Sequence, residues 1–277
     1  MEYVTLNNGV QMPVLGLGTF RATGGDCARS VRAAIAAGYR LIDTAEAYGN
    51  EEEVGRGIRE GGVSRSELFL TTKVNFRSYE RARETVEASL RKLGTDYLDL
   101  VLLHWPFGHY YAAWEALEAL CEAGTIRAIG VSNFDADRLV DLVSFHRVTP
   151  AVDQIETHLF CQRRGERPWL EKYGVHHMAY APLGRDRAGE MFALPEVRAL
   201  AEKYGKTPAQ ILLRFLTQQG ISAVPKSVHE ERIRENIDLF DFSLTESELE
   251  TLRRLDRADP RIGTAEDPVK VETAMTW

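Results

Sequence analysis

The chain has 277 residues, 44% of them hydrophobic and 27% charged, which is the composition of an ordinary globular protein with enough apolar residues for a sizeable core. Its net charge of −7 and the lack of a basic stripe argue against nucleic acid as a partner. Three scattered cysteines fit neither a disulfide framework nor a zinc site, and no signal peptide or membrane-length apolar run is visible, so we expect a cytoplasmic protein without a metal or membrane partner.

The first predicted element is a small β-hairpin over residues 3–14, because Asn7-Asn8-Gly9 is strong turn chemistry. After it, short apolar runs alternate with amphipathic stretches that carry apolar residues at helical spacing. The amphipathic stretches are residues 28–37, 79–93, 111–123 and 136–145. The apolar runs begin near Leu15, Leu41, Leu68, Leu98, Ile126, Val152, Val175 and Ile221.

Eight strand-helix units predict an α/β fold with a parallel sheet, and eight strands close into a (β/α)8 TIM barrel. The alternative is an open doubly wound sheet, which usually carries GxGxxG after its first strand. Residues 16–25 read GLGTFRATGG, which is rich in glycine but has the wrong spacing. We therefore predict a single barrel domain over residues 1–277, with the N-terminal hairpin and extra C-terminal helices.

Late in the chain, the long interval between Val175 and Ile221 leaves room for an extended loop over residues 182–194 and two helices that meet near Thr207-Pro208. A threonine cap before a proline at the first helical position is typical of a helix start. Thr245 and Glu248 have capping-box spacing at the start of a helix over residues 244–255. Residues 257–277 are rich in proline and charge, and we expect an irregular tail.

Polar side chains close each predicted strand, at the end of a barrel where catalytic groups lie. Asp43, Lys73 and His104 close the second, third and fourth strands, and Tyr48 follows Asp43 by five residues. The fourth strand also brings Trp105, and the later strands bring Ser132, Asn133, Gln154, Glu156, Tyr180, Lys226 and Ser227. A lone buried charge is costly, so Asp43 and Lys73 are natural partners.

The phenol of Tyr48 beside this pair would be the reactive group. An unperturbed tyrosine has a pKa near 10, and a close lysine ammonium lowers it. A shift of two units corresponds to roughly 2.7 kcal/mol, within the reach of one close cation. Tyr48 would then be a general acid near neutral pH, connected to solvent through His104, and suited to protonating a carbonyl oxygen.

Each of these residues has a simpler reading when it is taken alone. Asp43 could cap a helix, Lys73 could be a surface lysine at a strand end, His104 could be a core histidine, and Tyr48 could serve packing. Their position at the ends of three successive strands favours a shared site. The remaining histidines have no metal-ligand spacing, and the cysteines have no evident histidine partner for nucleophilic catalysis.

Seven motifs in order, at barrel spacing, resemble a known family. They are GLGTF at 16–20, DTAEAYGNE at 43–51, TTK at 71–73, LLHWP at 102–106, GVSNF at 130–134, YAPLG at 180–184, and VPKS with RIREN between 224 and 236. The chain resembles the aldo-keto reductases, which are NADPH-dependent barrel enzymes. The resemblance runs almost from end to end.

The resemblance implies a catalytic tetrad of Asp43, Tyr48, Lys73 and His104, in which Tyr48 donates the proton, Lys73 and Asp43 tune it, and His104 orients the carbonyl. It also implies a binding site for NADPH or NADP+. The nicotinamide carboxamide would be held by Ser132, Asn133 and Gln154, and its ring would stack on Tyr180. The pyrophosphate would be bound by Leu183, Gly184 and Arg185, and the 2′-phosphate by Lys226, Ser227 and Arg232. The adenine would lie near Glu235 and Asn236, and the predicted cofactor-binding residues also include Gly18, Thr19 and Asp43.

Departures from the family pattern lie on the substrate side. Phe20 stands where many members have tryptophan, Asn75 where an aromatic is common, and Asp153 where asparagine is frequent. The tail is short and is similar to that of the bacterial 2,5-diketo-D-gluconate reductase branch, which predicts an open pocket. Its expected wall comprises Phe20, Tyr48, His104, Trp105 and residues 107–111.

The predicted function is NADPH-dependent reduction of aldehydes and ketones to alcohols by a monomeric enzyme with a small-molecule carbonyl substrate. The alternative is a nucleotide-sensing binding subunit on the same fold with little or no turnover. The intact set of four catalytic residues argues against it. A third reading, a metal-dependent or phosphate-ester hydrolase, lacks a cluster of carboxylate and histidine ligands in the sequence.

Overall fold

An eight-stranded parallel barrel, preceded by a two-stranded hairpin, forms the centre of the molecule. A computed structural model describes residues 1–262, 264–274 and 276. The hairpin strands are β1 (Tyr3–Thr5) and β2 (Gln11–Pro13), which pair antiparallel. The barrel strands are β3 (Gly16–Gly18), β4 (Leu41–Asp43), β5 (Phe69–Val74), β6 (Leu98–Leu103), β7 (Ile126–Ser132), β8 (Val152–Glu156), β9 (His176–Tyr180) and β10 (Ser222–Ala223), and each pairs in parallel with its neighbours in sequence.

Helices follow the strands and surround the barrel. They are α1 (Gly24–Ala36), α2 (Glu51–Arg59), α3 (Ala82–Leu93), α4 (Tyr110–Glu122), α5 (Ala136–Phe145), α6 (Arg167–Tyr173), α7 (Ala188–Ala193), α8 (Pro195–Tyr204), α9 (Pro208–Thr217), α10 (Glu230–Ile237), α11 (Glu246–Arg253) and α12 (Pro268–Ala274). The predicted (β/α)8 barrel with its N-terminal hairpin is confirmed. Among the described residues, no helix has the length and apolar character that a bilayer crossing requires.

The first and last strands of the barrel meet at two parallel bridges, between Leu15 and Ala223 and between Gly18 and Lys226. The Gly18 N–H donates to the Pro225 carbonyl over 3.0 Å. A Cβ at Gly18 would lie 2.7 Å from the carbonyl oxygen of Val224, so this seam tolerates only glycine. The seam lies next to the predicted phosphate-binding residues.

Two clusters of buried apolar side chains form the core of the protein. The larger cluster lies between the strands and the surrounding helices. A second cluster lies inside the barrel and includes Leu41, Phe69 and Leu102 together with Leu6 and Met12 from the hairpin region. The hairpin therefore closes the end of the barrel at which the strands begin, and the strand C-termini form the open end.

Two predicted irregular segments prove to be partly helical. The loop over residues 182–194 contains a 3-10 turn (Arg185–Arg187) and helix α7, which buries Met191 completely. The expected irregular tail contains helix α12, which begins at Pro268 and buries Ala274. Tertiary burial of single side chains, which periodicity does not reveal, stabilises these short helices. Residues 263, 275 and 277 of the predicted tail lie outside the described residues.

Both predicted helix caps are confirmed. The Thr207 hydroxyl accepts a hydrogen bond from the Gln210 N–H, and the Thr245 hydroxyl accepts one from the Glu248 N–H, each within a complete capping box. Helix α2 begins at Glu51, directly after Asn50. The Asn50 side chain makes no capping hydrogen bond to this helix; its hydrogen bonds are described with the candidate active site.

Candidate active site

A buried lysine joins the predicted tetrad at the open end of the barrel. The ammonium of Lys73, near the end of β5, lies 2.7 Å from a carboxylate oxygen of Asp43, 2.9 Å from the Thr44 carbonyl and 3.5 Å from the Tyr48 hydroxyl. The side chains of Lys73 and Asp43 are 1% and 5% exposed. In the parallel pairing of β4 with β5, Asp43 lies opposite Thr71, and Lys73 follows Thr71 by two residues on the same strand. Burial lowers the pKa of Lys73, but Asp43 and Tyr48 outweigh it, so the pKa is raised and the ammonium is retained.

Loop-to-loop hydrogen bonds place Tyr48 beside this pair. Tyr48 ends a 3-10 turn (Glu46–Tyr48), and Gly49 follows it in the left-handed conformation at φ 64°. The Asn50 amide donates to the carbonyls of Thr19 and Ala22 and accepts from the Thr44 hydroxyl. Asn50 thus ties the loop that carries Tyr48 to the loop after β3. It acts as a buried positioning residue and not as the helix cap that its sequence position suggests.

A second link runs from the Tyr48 loop to the loop after β5. The carboxylate of Glu46 accepts hydrogen bonds from the Asn75 N–H over 2.9 Å and from the Ser78 hydroxyl over 2.6 Å. Glu46 and Asn75 both line the cavity described below. This contact was not foreseen, because it joins residues that are 29 and 32 positions apart.

His104 completes the tetrad as a neutral imidazole. Its ring lies edge-on to the Tyr48 ring with 5.9 Å between centroids. Burial lowers the pKa of His104 to about 3, and the Lys73 ammonium adds to the effect. The Tyr79 hydroxyl donates to the Trp105 carbonyl over 2.6 Å and accepts from the Trp105 N–H over 3.1 Å, which anchors the segment that presents His104. The buried His104 Nδ1 has no hydrogen-bond partner among the described residues.

The pKa of Tyr48 is shifted in the direction opposite to the sequence-based expectation. Burial is the largest influence and raises it, while the charge of Lys73 lowers it and that of Asp43 raises it again. The net pKa is raised, so Tyr48 holds its proton at neutral pH. The expectation neglected desolvation, which disfavours a phenolate in a buried site.

The residues predicted to hold the carboxamide form one network with the tetrad. Gln154 donates to the second carboxylate oxygen of Asp43 over 2.8 Å, and the Ser132 hydroxyl donates to the Gln154 carbonyl over 2.7 Å. Asn133 has a left-handed backbone at φ 61°; its amide donates to the His104 carbonyl over 3.0 Å and accepts from the Tyr180 hydroxyl over 2.7 Å. Hydrogen bonds within the protein therefore hold these polar groups in place.

One large cavity of about 1440 Å³ collects most of the predicted site. Its wall includes Gly18, Phe20, Asp43, Tyr48, His104, Trp105, Ser132, Asn133, Gln154, Tyr180, Leu183, Arg185, Lys226, Ser227, Arg232, Glu235 and Asn236. Lys73, Thr19 and Gly184 are not part of the wall. Lys73 is buried with Asp43 and Tyr48, the Thr19 hydroxyl donates to the Asp43 carbonyl, and Gly184 forms a left-handed turn at φ 68°.

The cavity has the polar groups that a dinucleotide phosphate requires. Lys226 and Arg232 make no ion pair within the part of the chain that the structure describes, and both are exposed to the cavity. The guanidiniums of Arg21 and Arg185 lie 5.3 and 5.6 Å from the Phe20 ring centroid. Cations at these places suit phosphate groups, and the fixed amide and hydroxyl groups suit a carboxamide. The residues present fit NADP(H).

The C-terminal segment contributes wall residues that the sequence did not reveal. Arg261, Ile262 and Lys270 line the cavity, and the Lys270 ammonium lies 4.7 Å from the Trp105 ring centroid. The Trp105 ring stacks on the Phe107 ring at a centroid distance of 5.4 Å. The tail therefore forms part of the pocket wall.

The comparison with family models settles the class of protein. A model described as the aldo/keto reductase family matches residues 14–257. This chain belongs to that family. As a member, it is an oxidoreductase. Among the described residues no group of three or more His, Cys, Asp or Glu side chains could hold a metal ion.

Characterised relatives of this aldo-keto reductase match it almost from end to end. Morphine 6-dehydrogenase of Pseudomonas putida is 42% identical over 98% of this chain and 96% of its own length. Glyoxal reductase of Bacillus subtilis is 42% identical over 96% of each chain. A solved aldo-keto reductase of Bombyx mori in complex with NADP superposes with a TM-score of 0.88 at 35% identity, over 96% of each chain.

Proposed function

We propose that the protein reduces aldehydes and ketones to alcohols with NADPH, and that Tyr48 donates the proton. The observation that carries the proposal is the buried ammonium of Lys73, which lies between Asp43 and Tyr48 while His104 beside them stays neutral. The bound cofactor would supply hydride to the carbonyl carbon. The carbonyl oxygen must then receive a proton, and the following steps belong to side chains of this chain.

Tyr48 is the acid that stays protonated until the reaction. Its raised pKa keeps the phenol protonated at neutral pH, and the nearby Lys73 ammonium stabilises the phenolate that forms once the proton has left. His104 cannot take this role, because a histidine with a pKa of about 3 has no acidic proton to give at neutral pH. A positioned acid of this kind contributes about 10²- to 10⁴-fold in rate.

His104 orients the substrate. A neutral imidazole can donate one hydrogen bond to a carbonyl oxygen, and its ring lies beside the Tyr48 ring at the cavity wall. Asp43 supports the Lys73 ammonium and receives Gln154 on its other oxygen. Asp43 therefore acts through Lys73 and does not touch the reacting oxygen.

The cofactor contacts follow the family pattern as a further part of the proposal. Ser132, Asn133 and Gln154 would hold the carboxamide, with Tyr180 behind the nicotinamide. Leu183, Gly184 and Arg185 would lie along the pyrophosphate, and Lys226, Ser227 and Arg232 would receive the 2′-phosphate. Two cations and a hydroxyl at a phosphate dianion favour NADPH over NADH, which a comparison of the two dissociation constants would measure.

The decisive experiment follows NADPH oxidation with a panel of methylglyoxal, aromatic aldehydes and keto-sugars. Small dicarbonyls come first in the panel, because two of the relatives are named glyoxal reductase and methylglyoxal reductase. Tyr48→Phe should lower turnover by about 10²- to 10⁴-fold while NADPH still binds, because only the acidic hydroxyl is removed. Tyr3→Phe, in the exposed hairpin strand, is the matched control.

Three results would count against the proposal. A Tyr48→Phe enzyme with near-wild-type turnover would remove Tyr48 as the acid. A wild-type protein that binds NADPH but reduces no carbonyl would favour the nucleotide-sensing alternative. Activity that disappears on addition of a chelator would favour a metal-dependent hydrolase or reductase.

The proposal also covers the state of the protein. We infer a single domain over residues 1–277 that works as a cytoplasmic monomer on a small carbonyl substrate, without nucleic acid. Size-exclusion chromatography with light scattering tests the monomer, with 31.2 kDa as the expected mass. Placement in the 2,5-diketo-D-gluconate reductase branch stays a prediction, which keto-sugar acids in the panel would test.

A further inference from the structure

The C-terminal strap, defined as residues 257–262 and 264–274, crosses the open end of the barrel beside the cavity. Its first part is bound to the barrel through the Phe160 carbonyl, which accepts hydrogen bonds from the N–H groups of Arg257 and Asp259 over 3.1 and 3.2 Å. Its later part brings Ile262 and Lys270 to the cavity wall. The strap is thus a built part of the site and not a loose end.

Two buried carboxylates hold the strap by its backbone. Glu156, at the end of β8 and fully buried, accepts the N–H groups of Arg261 and Ile262 over 2.9 and 2.7 Å. Asp135 accepts the N–H groups of Ala265 and Glu266 over 2.9 and 3.3 Å. Hydrogen bonds to an ionised acceptor are about twice as strong as neutral ones, so this inner attachment is firm.

Ion pairs hold the other edge of the strap to the nucleotide loop, defined as residues 182–194. Arg261 meets both carboxylate oxygens of Asp186, at 3.2 and 3.0 Å from its Nε. Arg187 of the loop pairs with Asp259 of the strap at 2.8 Å, and Glu190 of the loop pairs with Arg257 at 2.5 Å. Cations and anions alternate between the two segments, and this pattern fixes their register.

Arg261 is common to both attachments. Its backbone N–H is bound to Glu156 on the barrel, and its guanidinium is bound to Asp186 on the loop. Ile262, the next residue, lines the substrate cavity, and Arg185, which precedes Asp186, lines the same cavity on the nucleotide side. Arg261 therefore links the loop directly to the wall of the carbonyl pocket, beside the pairs of Arg187 with Asp259 and of Glu190 with Arg257.

We propose that Arg261 is a positioning residue that couples retention of the nucleotide to the placement of the substrate wall. The proposal rests on the proposed function, since it requires NADPH under the nucleotide loop. An isolated exposed ion pair contributes little, because two long side chains must be ordered to form it. Here the backbone of Arg261 is already fixed by a buried carboxylate, and two further pairs order the same two segments.

The test measures NADPH dissociation by stopped-flow fluorescence together with KM and kcat for a small and a bulky carbonyl. Arg261→Gln keeps the backbone N–H and removes the charge. We expect the NADPH dissociation rate constant to rise about two- to five-fold and KM for the bulky carbonyl to rise in parallel, by more than KM for methylglyoxal. Asp186→Asn should have the same effects, and the double variant should be no worse than either single variant. Arg261→Lys keeps a positive charge, so its effects on NADPH dissociation and KM should be smaller than those of Arg261→Gln.

Arg254→Gln is the matched control, because its guanidinium pairs with Glu250 on the same helical face and its side chain is 77% exposed. Arg254→Gln should change neither the NADPH dissociation rate constant nor KM for the bulky carbonyl. Additive effects of Arg261→Gln and Asp186→Asn, or faster NADPH release with no change in KM, would overturn the coupling and leave the proposed function intact. A wild-type protein that does not bind NADPH would overturn both.

Discussion

The tetrad and the C-terminal strap border the same cavity, but different forces hold them in place. Lys73 and Asp43 form a buried pair on adjacent strands whose register is set by backbone hydrogen bonds. The strap depends on backbone hydrogen bonds to two carboxylates and on ion pairs such as Arg261–Asp186, whose side chains are 56% and 58% exposed. The lysine and aspartate of the tetrad are thus held by the barrel strands, whereas the strap is held by contacts with the strand ends and with a neighbouring loop.

Substitution of the buried lysine should have the largest effect on stability. Lys73→Met leaves the Asp43 charge buried without its partner, so we expect a loss of about 3–5 kcal/mol in the free energy of unfolding, measured by urea denaturation, together with loss of turnover. Lys172→Met, on the surface of α6, is the control. Adding Asp43→Asn to Lys73→Met should recover part of the stability. No recovery would mean that packing of the lysine stem, and not charge pairing, holds this part of the barrel.

Substitution of Glu156, which binds the strap to the barrel, should have the next largest effect on stability. Glu156→Gln removes the negative charge, and one of the two strap N–H groups then faces an amide donor. We expect a loss of about 1.5–3 kcal/mol and a higher KM for bulky carbonyls, measured by denaturation and steady-state kinetics. Glu171→Gln, at an exposed position on α6, is the control. Lost stability with an unchanged KM would show that the strap does not shape the pocket.

Asp153 lies on β8, and its substitution should have the smallest effect on stability and the only stabilising one among these variants. The carboxyl is 1% exposed, and neither oxygen has a hydrogen-bond partner among the described residues. Burial, with the charge of Asp135 second, raises its pKa well above the ordinary value. A raised carboxyl pKa stabilises the fold below the unfolded-state pKa of about 3.9 and loses that contribution as the pH rises toward the folded-state pKa.

Asp153→Asn should therefore stabilise the protein by about 1–3 kcal/mol near pH 7, and the gain should vanish near pH 4. Urea denaturation at several pH values measures it, with Asp137→Asn on the exposed face of α5 as the control. A gain that is the same at pH 4 and pH 7 would contradict the assignment of a neutral, buried acid.

Several parts of the site could be predicted because each depends on a strand end. Asp43, Lys73 and His104 follow apolar runs, and parallel strands bring such ends together. Glu156 was noted at a strand end without a role, since its partners are the N–H groups of residues 105 and 106 positions later in the chain. Asn50 directly precedes helix α2, while its side chain ties the loop after β4 to the loop after β3. Short-range patterns do not encode such contacts.

The sequence alone determined the strand-helix rhythm, the barrel, the helix caps at Thr207 and Thr245, and the family to which the motifs point. These features depend on periodicity and on residues a few positions apart, which a linear chain displays. Only the tertiary structure decided the direction of the Tyr48 pKa shift, the neutral state of His104 and the attachment of the strap over the pocket. Desolvation and long-range charge pairing control these, and both depend on which residues surround a group after folding.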